Sequence, residues 1–177
     1  TETLPSQLRH VWAPCSQSKV VAALRVLLRK DEASLTGAII FLRPSMPFSR
    51  IAEALAGVID EAPPALLAED QSLNARASAV RELRERSKRL LLATPLGARG
   101  LDIPHCSHVY LVGLPESAEA YTHAAGRCGR MGEPGRVTVL CGEKEGFALQ
   151  RLANSLNIDF DKMSGGGGKK KKKTVAP

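Results

Sequence analysis

The sequence has few of the features that identify secreted, membrane or metal-binding proteins. Its four cysteines, Cys15, Cys106, Cys128 and Cys141, are widely spaced and form no CxxC pair, so neither a zinc site nor a disulfide framework is indicated. No apolar run is long enough to span a bilayer, and the first residues lack the basic-then-apolar pattern of a secretory signal. We therefore expect a protein of a reducing intracellular compartment (cytoplasm, nucleus or organelle), without membrane contact and without a metal ligand set of its own.

The chain also lacks a phosphate-binding loop of the form GxxxxGK[ST]. Its net charge of +7 suggests nucleic-acid binding, but the five lysines at 169–173 contribute most of that charge and the rest of the chain is nearly balanced. Binding of nucleic acid by the folded part must therefore depend on individually placed residues, whereas attraction by the lysine run would weaken with salt.

Short apolar runs alternate with segments of helical periodicity along the chain. The predicted strands are 10–13, 37–42, 66–67, 90–93, 109–112 and 137–141, and the predicted helices begin near 18, 47, 75, 117 and 145. Strands separated by single helices imply parallel crossovers, and hence an α/β fold with an open, mainly parallel sheet covered by helices on both faces.

Residues 164–177 break this alternation, because four glycines and five lysines cannot bury apolar surface. We expect one domain over 1–163 and a disordered Gly/Lys-rich tail over 164–177. Two interpretations of the tail stay open: a salt-sensitive tether for RNA, or a solvated terminus with no specific role.

A glycine-rich turn follows the strand predicted at 90–93. Residues 94–102 read TPLGARGLD and combine a hydroxyl, two glycines, an arginine and a carboxylate. Such a turn can bring backbone N–H groups and a hydroxyl to a phosphate, although a purely structural turn can have the same composition. Because ligands meet open parallel sheets at the carboxyl ends of the strands, we expect this turn and the next motif at that edge.

A second cluster, YTHAAGRCGR at 121–130, contains two arginines that each follow a glycine. Arg127 and Arg130 are three residues apart, can face the same way and so form a clamp for an anion. The dipole at a helix C-terminus would explain one arginine there but not the repeated Gly-Arg pair. We interpret the cluster as an anion clamp that needs a partner surface.

In order and spacing, ATPLGARGLDIP and YTHAAGRCGRMGEPG resemble motifs V and VI of the DEAD-box family of ATP-dependent RNA helicases, in superfamily 2. GAIIFLRP resembles motif IV, and the helix containing Arg76 resembles the one after the QxxR element. The resemblance covers about residues 8 to 156. It implies the C-terminal RecA-like lobe of a two-lobe enzyme in which RNA lies across both lobes and ATP lies between them.

The resemblance also implies roles for the matching residues. Gly100 and Asp102 would border the ribose of ATP. Arg127 and Arg130 would be arginine fingers at the γ-phosphate, where cations stabilise the transition state, and His123 would join the network between the lobes.

On the RNA side, the resemblance implies that Thr94, Arg76 and the backbone near Gly97 hold phosphates of a single strand without reading sequence. ATP and Mg²⁺ would be required, with the Mg²⁺ ligands on the N-terminal lobe. We therefore expect a monomeric protein in which this lobe is inactive without the N-terminal one.

Four positions depart from the family pattern: Pro44 in motif IV, Leu73 in place of the glutamine of QxxR, Pro95 in motif V and Ala124 in motif VI. Pro95 removes a backbone donor beside Thr94, and Leu73 cannot form a hydrogen bond through its side chain. The hypothesis is that the ATP-facing arginines still function while the grip on RNA is weakened, so that duplex unwinding is poor.

Two alternatives stay open. A degenerate helicase lobe that acts as an RNA or protein scaffold would explain Ala124 and Pro95, but it has no need of Arg127 and Arg130. A lobe from another superfamily 2 helicase acting on DNA is the second alternative, although HAAGRCGR and ARGLDIP follow the DEAD-box pattern most closely.

Overall fold

The structure is a computed structural model that describes residues 4–129 and 132–164. Within these residues, seven strands form one sheet: β1 (Leu8–Pro14), β2 (Ala38–Phe41), β3 (Ala65–Leu67), β4 (Leu90–Ala93), β5 (His108–Val112), β6 (Gly135–Cys141) and β7 (Asp161–Lys162). The strand order is β3-β4-β2-β5-β6-β1-β7, and every neighbouring pair is parallel. The helices are α1 (Val20–Asp31), α2 (Phe48–Leu55), α3 (Leu73–Arg84), α4 (Ala118–Ala125) and α5 (Gly146–Leu156).

Helices cover both faces of the sheet, and alternate strand residues supply the two cores. On one face, α1 and α2 pack against side chains such as Ile40 and Leu92. On the other, α3, α4 and α5 pack against Ile39 and Leu91. Strands β2 and β4 are buried along their whole length, which is why they read in the sequence as continuous apolar runs.

The predicted open parallel α/β sheet is confirmed, and the sheet is parallel throughout. The sequence pattern did not predict β7, because its two residues are exposed and too few to show periodicity. The expected tail lies outside the described residues, apart from Ser164 at its start. No helix in the described part of the chain is both long and apolar enough to cross a membrane.

The segment 94–107 connects opposite edges of the sheet. It leaves β4 at the carboxyl ends of the strands and enters β5 at the amino ends, without a helix between them. Near its far end, Cys106 forms an isolated parallel bridge with Cys128. The expectation that both motifs lie at the carboxyl edge is therefore wrong for the second one, because Cys128 follows the end of α4 and lies near the amino ends of β5 and β6.

Candidate functional site: two linked edges of the sheet

The predicted site residues fall into two groups. We call Arg76, Thr94 and Gly97 the carboxyl-edge cluster, because Thr94 directly follows β4. The amino-edge cluster consists of Gly100 and Asp102 in the second half of segment 94–107, His123 in the last turn of α4, and Arg127 just after α4. Arg130, the second arginine of the predicted clamp, lies outside the described residues.

The turn after β4 is held closed by its own polar groups. Thr94 is 2% exposed, and its hydroxyl oxygen accepts a 2.9 Å hydrogen bond from the Gly97 N–H. A Cβ on Gly97 would lie 2.3 Å from the Leu67 carbonyl oxygen, so no larger residue fits without backbone movement. The Gly97 N–H is therefore used inside the turn, and the groups left to meet a ligand here are the Thr94 hydroxyl hydrogen and Arg76.

Arg76 extends from the first turn of α3 toward this turn. Its Nη1 donates a hydrogen bond to the Gly97 carbonyl oxygen at 3.4 Å. Its Nε is buried and has no hydrogen-bond partner in the described part of the chain. A buried guanidinium N–H without a partner costs free energy. Because Nε is covered, only the terminal nitrogens of the partly exposed Arg76 can meet an anion at the turn.

A second arginine ties α3 to the far part of the same segment. Arg84, in the last turn of α3, donates from Nη2 to the Asp102 carbonyl oxygen at 2.8 Å. Because this bond uses the Asp102 backbone, the exposed carboxylate remains available. Helix α3 therefore holds segment 94–107 at both clusters, through Arg76 at one end and Arg84 at the other.

Arg127 is positioned through its backbone. Its carbonyl oxygen accepts hydrogen bonds from the Cys106 N–H at 3.0 Å and from the Cys106 thiol at 3.4 Å. Its guanidinium is partly exposed, and no carboxylate within the described residues lies at ion-pair distance from it. The end of segment 94–107 thus fixes the loop that presents a cation with unused donors.

The other amino-edge residues leave room for a ligand. His123 is in the last turn of α4, with 63% of its side chain exposed, and its Nε2 lies 3.8 Å from a carboxylate oxygen of Glu119. Gly100 has a φ of +77°, and a Cβ built there would contact nothing within 4 Å. That conformation favours glycine and leaves the backbone open to close approach.

The four departures from the motif pattern do not lie together. Pro44, Leu73 and Pro95 are all exposed, and all lie where the chain leaves a strand at the carboxyl edge or begins α3. Leu73 has 64% of its surface exposed. Ala124 is instead half-buried and packs against the core beside Arg127.

The cysteines near the amino edge are packing residues. Burial raises the pKa of the Cys128 thiol to about 12 and raises the pKa of Cys106 further, so both stay protonated at neutral pH. All four cysteines are free thiols. Among the described residues, no three His, Cys, Asp or Glu side chains lie close enough to hold a metal ion.

Sequence reasoning missed the contacts that join the two clusters. Neither the Arg84 bond to Asp102 nor the Cys106 bond to Arg127 uses a side-chain acceptor, so residue type gives no signal for them. The spacing of the motifs was a partial signal, because segment 94–107 is too short to contain a helix and still cross the sheet.

Comparison with known proteins identifies the fold. The family model described as the helicase conserved C-terminal domain matches residues 19–132. A DEAD box protein of Methanococcus jannaschii superposes with a TM-score of 0.76 at 21% identity, covering 90% of this chain and 42% of that one. The Escherichia coli DEAD-box protein SrmB, solved bound to the regulator of ribonuclease activity A, superposes with a TM-score of 0.72 at 26% identity, covering 88% of this chain and 91% of that one.

Sequence relatives agree with the structural ones. The chain is 35% identical to the chloroplastic DEAD-box ATP-dependent RNA helicase 58 of Oryza sativa subsp. japonica, over 92% of this chain and 40% of the relative. It is 30% identical to the DEAD-box ATP-dependent RNA helicase CshC of Bacillus cereus, over 89% of this chain and 39% of the relative. The chain spans less than half the length of these relatives. It belongs to the helicase conserved C-terminal domain family and is a C-terminal RecA-like lobe of the DEAD-box type.

Proposed function

We propose that this chain is the second lobe of an ATP-dependent RNA helicase, and that it supplies part of a single-strand RNA surface and the arginine fingers for ATP hydrolysis. The proposal rests on the path of segment 94–107. The segment begins at the carboxyl-edge cluster, and Cys106 near its end is hydrogen-bonded to the Arg127 backbone. Contacts through Arg76, Arg84 and Cys106 hold it along its length. A displacement of the segment at one cluster would therefore also move the residues of the other cluster.

The amino-edge cluster fits half of a nucleotide site. Arg127 offers guanidinium donors without a carboxylate partner, and Asp102 offers an exposed carboxylate that can accept from ribose hydroxyls. A guanidinium beside the γ-phosphate would stabilise charge that develops in the transition state. The other half, including the ligands of Mg²⁺, would come from the N-terminal lobe, so this lobe alone should not hydrolyse ATP.

The carboxyl-edge cluster fits a phosphate of a single strand. The terminal nitrogens of the partly exposed Arg76 offer donors, and the Thr94 hydroxyl retains a hydrogen to donate. These donors would position the backbone without reading bases. Both relatives named above are described as ATP-dependent RNA helicases, which favours RNA over DNA as the strand.

The organisation around this core is also proposed. The domain would occupy 1–163, and the lysines at 169–173 would add salt-sensitive attraction for RNA. We propose a monomer that contacts its own N-terminal lobe. The compartment stays open, since one relative is named chloroplastic and another is bacterial.

The test is RNA-stimulated ATP hydrolysis by the two-lobe protein, or by this chain mixed with its N-terminal lobe. Arg127→Ala should lower turnover by about 10³-fold or more, because an arginine finger contributes about 10³ to 10⁵. The matched control is Arg29→Ala, which removes the same charge from an exposed position on α1. It should leave turnover unchanged.

Two results would contradict the proposal. Equal turnover by Arg127→Ala and by the unaltered protein would show that Arg127 is not an arginine finger. No turnover by any of the proteins, with RNA still bound, would favour the alternative of a scaffold that has kept the fold but not the enzyme activity.

A further inference from the structure

A crevice opens at the carboxyl edge of the sheet, next to the carboxyl-edge cluster but separate from it. It has a volume of about 320 Å³ and is lined by the residues that follow β1, β2, β5 and β6. The loop after β5 leads to α4 on one face, whereas the loops after β1 and β2 lead to α1 and α2 on the other. Crevices where neighbouring loops leave toward opposite faces are the usual ligand sites of open parallel sheets.

The crevice contains a cation without a partner. A Cβ on Gly113 would lie 2.4 Å from Nη2 of Arg43, so the guanidinium lies directly over the Gly113 backbone. Gly113 has a φ of +88°, which also favours glycine. Arg43 is exposed, and its side chain forms no hydrogen bond or ion pair with the described part of the chain. Its planar face is therefore available for stacking.

The rest of the lining is unsuited to a phosphate. Glu145 also lines the crevice, and only its Oε1 is used, by the Gly142 N–H at 3.3 Å. A carboxylate beside Arg43 would repel an anion but would accept hydrogen bonds from N–H groups. The apolar part of the lining is Val20, Met46, Val112 and Leu140. Gln17 adds an amide that can both donate and accept.

We propose that this crevice binds a nucleobase of the RNA strand whose backbone lies on the carboxyl-edge cluster. A base is planar, uncharged and rich in N–H and carbonyl groups, which matches the guanidinium face, the carboxylate and the apolar walls. The two sites are adjacent, because the Leu42 N–H donates to the Ala93 carbonyl oxygen at 2.8 Å and Arg43 therefore leaves β2 beside Thr94. This inference rests on the proposed RNA binding.

The experiment compares two strands of equal length in binding to the two-lobe protein: an oligouridylate, and the same ribose-phosphate strand without bases. Arg43→Ala should weaken binding of the oligouridylate about five- to tenfold, the lower part of the range for stacking of one base. It should leave binding of the abasic strand unchanged. Arg29→Ala is the control for the loss of one positive charge.

The variants separate this inference from the proposed function. Arg76→Ala should weaken the binding of both strands, because it removes a contact to the RNA backbone. If Arg43→Ala weakens the binding of both strands equally, Arg43 contacts a phosphate and the base pocket is overturned. If Arg76→Ala weakens RNA binding and Arg43→Ala has no effect, the base pocket is overturned and the proposed RNA surface stands. If the unaltered protein binds neither strand, the base pocket and the proposed RNA surface are both overturned.

Alkylation of Cys15 gives a second readout that needs no substitution. Cys15 lines the crevice and is partly exposed, whereas the other three cysteines are buried. The oligouridylate should slow iodoacetamide labelling of the Cys15 peptide, measured by mass spectrometry, and the abasic strand should not. Equal labelling with and without the oligouridylate would overturn the proposal. Equal protection by uridine monophosphate at the same base concentration would assign the pocket to free nucleotides and overturn its assignment to RNA.

Discussion

The two edges of the sheet differ in how closely they follow the DEAD-box pattern. At the carboxyl edge, Pro44, Leu73 and Pro95 depart from it, and all three are exposed. At the amino edge, Ala124 departs from the pattern, whereas Asp102 and Arg127 keep the side chains that it requires. The difference suggests two kinds of demand. A finger at a transferring phosphoryl group needs one guanidinium in one place, whereas a grip on a strand is shared among many contacts and tolerates the loss of some.

The edges also differ in what stabilises them. The carboxyl edge depends on close approach of backbone at Gly97, where a Cβ would overlap the Leu67 carbonyl. The four histidines are at or near the amino edge: His10 in β1, His108 at the start of β5, and His105 and His123 in the flanking segments. Steric substitutions should affect both edges, since a Cβ on Gly135 at the start of β6 would lie 2.8 Å from the Gly129 nitrogen, whereas acid should affect mainly the second.

After removal of the Arg127 guanidinium altogether, the largest effect is expected for Arg127→Lys in the two-lobe protein. Lysine keeps the charge but not the planar fork, so we predict a fall in kcat of about 10²-fold, comparable with the loss of one preorganised donor. RNA affinity, measured by fluorescence anisotropy, should not change. A kcat within twofold of the unaltered protein would mean that a positive charge alone suffices at this position, and that the planar guanidinium is not required.

Gly97→Ala tests the steric requirement of the carboxyl edge. The new Cβ would meet backbone, so we expect a loss of about 2 kcal/mol in the free energy of unfolding, measured by urea denaturation. Gly37→Ala is the matched control, because its Cβ would have only ordinary contacts at 3.8 Å or more. Equal midpoints for the two variants would contradict the close packing at Gly97.

Acid should weaken the amino edge through two buried histidines. Burial lowers the pKa of His10 to about 4, with Asp161 opposing, and lowers the pKa of His108 to about 4. The unfolded chain takes up these protons first, so stability should fall as the pH drops from about 6.5 to about 4. The full shift corresponds to about 3 kcal/mol per histidine, and partial solvent screening reduces it to on the order of 1–2 kcal/mol.

Urea denaturation as a function of pH measures this effect. Hydrogen exchange near pH 5 should increase first around β5 and the end of α4. Faster exchange at the turn after β4 instead would contradict the division between the edges.

The smallest effect is expected for Leu73→Gln, which restores the glutamine of the family pattern on an exposed site of α3. One added hydrogen bond to the strand should raise RNA affinity about fivefold, without changing the KM for ATP. Leu96→Gln, on another exposed leucine in the neighbouring turn, is the control. If Leu73→Gln does not raise RNA affinity, this departure from the family pattern does not limit RNA binding.

Most of the fold was predictable because apolar periodicity marks it directly. The predicted strand at 90–93 matches β4 residue for residue, since all four side chains are buried. The helix predicted to begin near 75 begins at Leu73 and ends at Arg84. Ser72 caps its start through a bond to the Ala75 N–H, and Arg86 adopts a φ of +59° after its end. Such terminal contacts depend on conformation as well as on residue type.

The site was predictable only in part. The motif residues were identified by their pattern, but their division between two edges was not, because a strand-to-strand connection without a helix has no periodic signal. The crevice beside Arg43 also had no signal, since it is formed by residues from four loops far apart in the sequence.

The central claim is that one segment joins an RNA-binding edge to a nucleotide-binding edge with separate tasks. The most direct test is RNA-stimulated ATP hydrolysis by the two-lobe protein as RNA is titrated, comparing Arg76→Ala with Arg127→Ala. We predict that Arg76→Ala raises the RNA concentration needed for half-maximal turnover and keeps kcat, whereas Arg127→Ala abolishes kcat and keeps RNA affinity. Loss of kcat at saturating RNA in Arg76→Ala, or loss of RNA affinity in Arg127→Ala, would contradict the separation of the two edges.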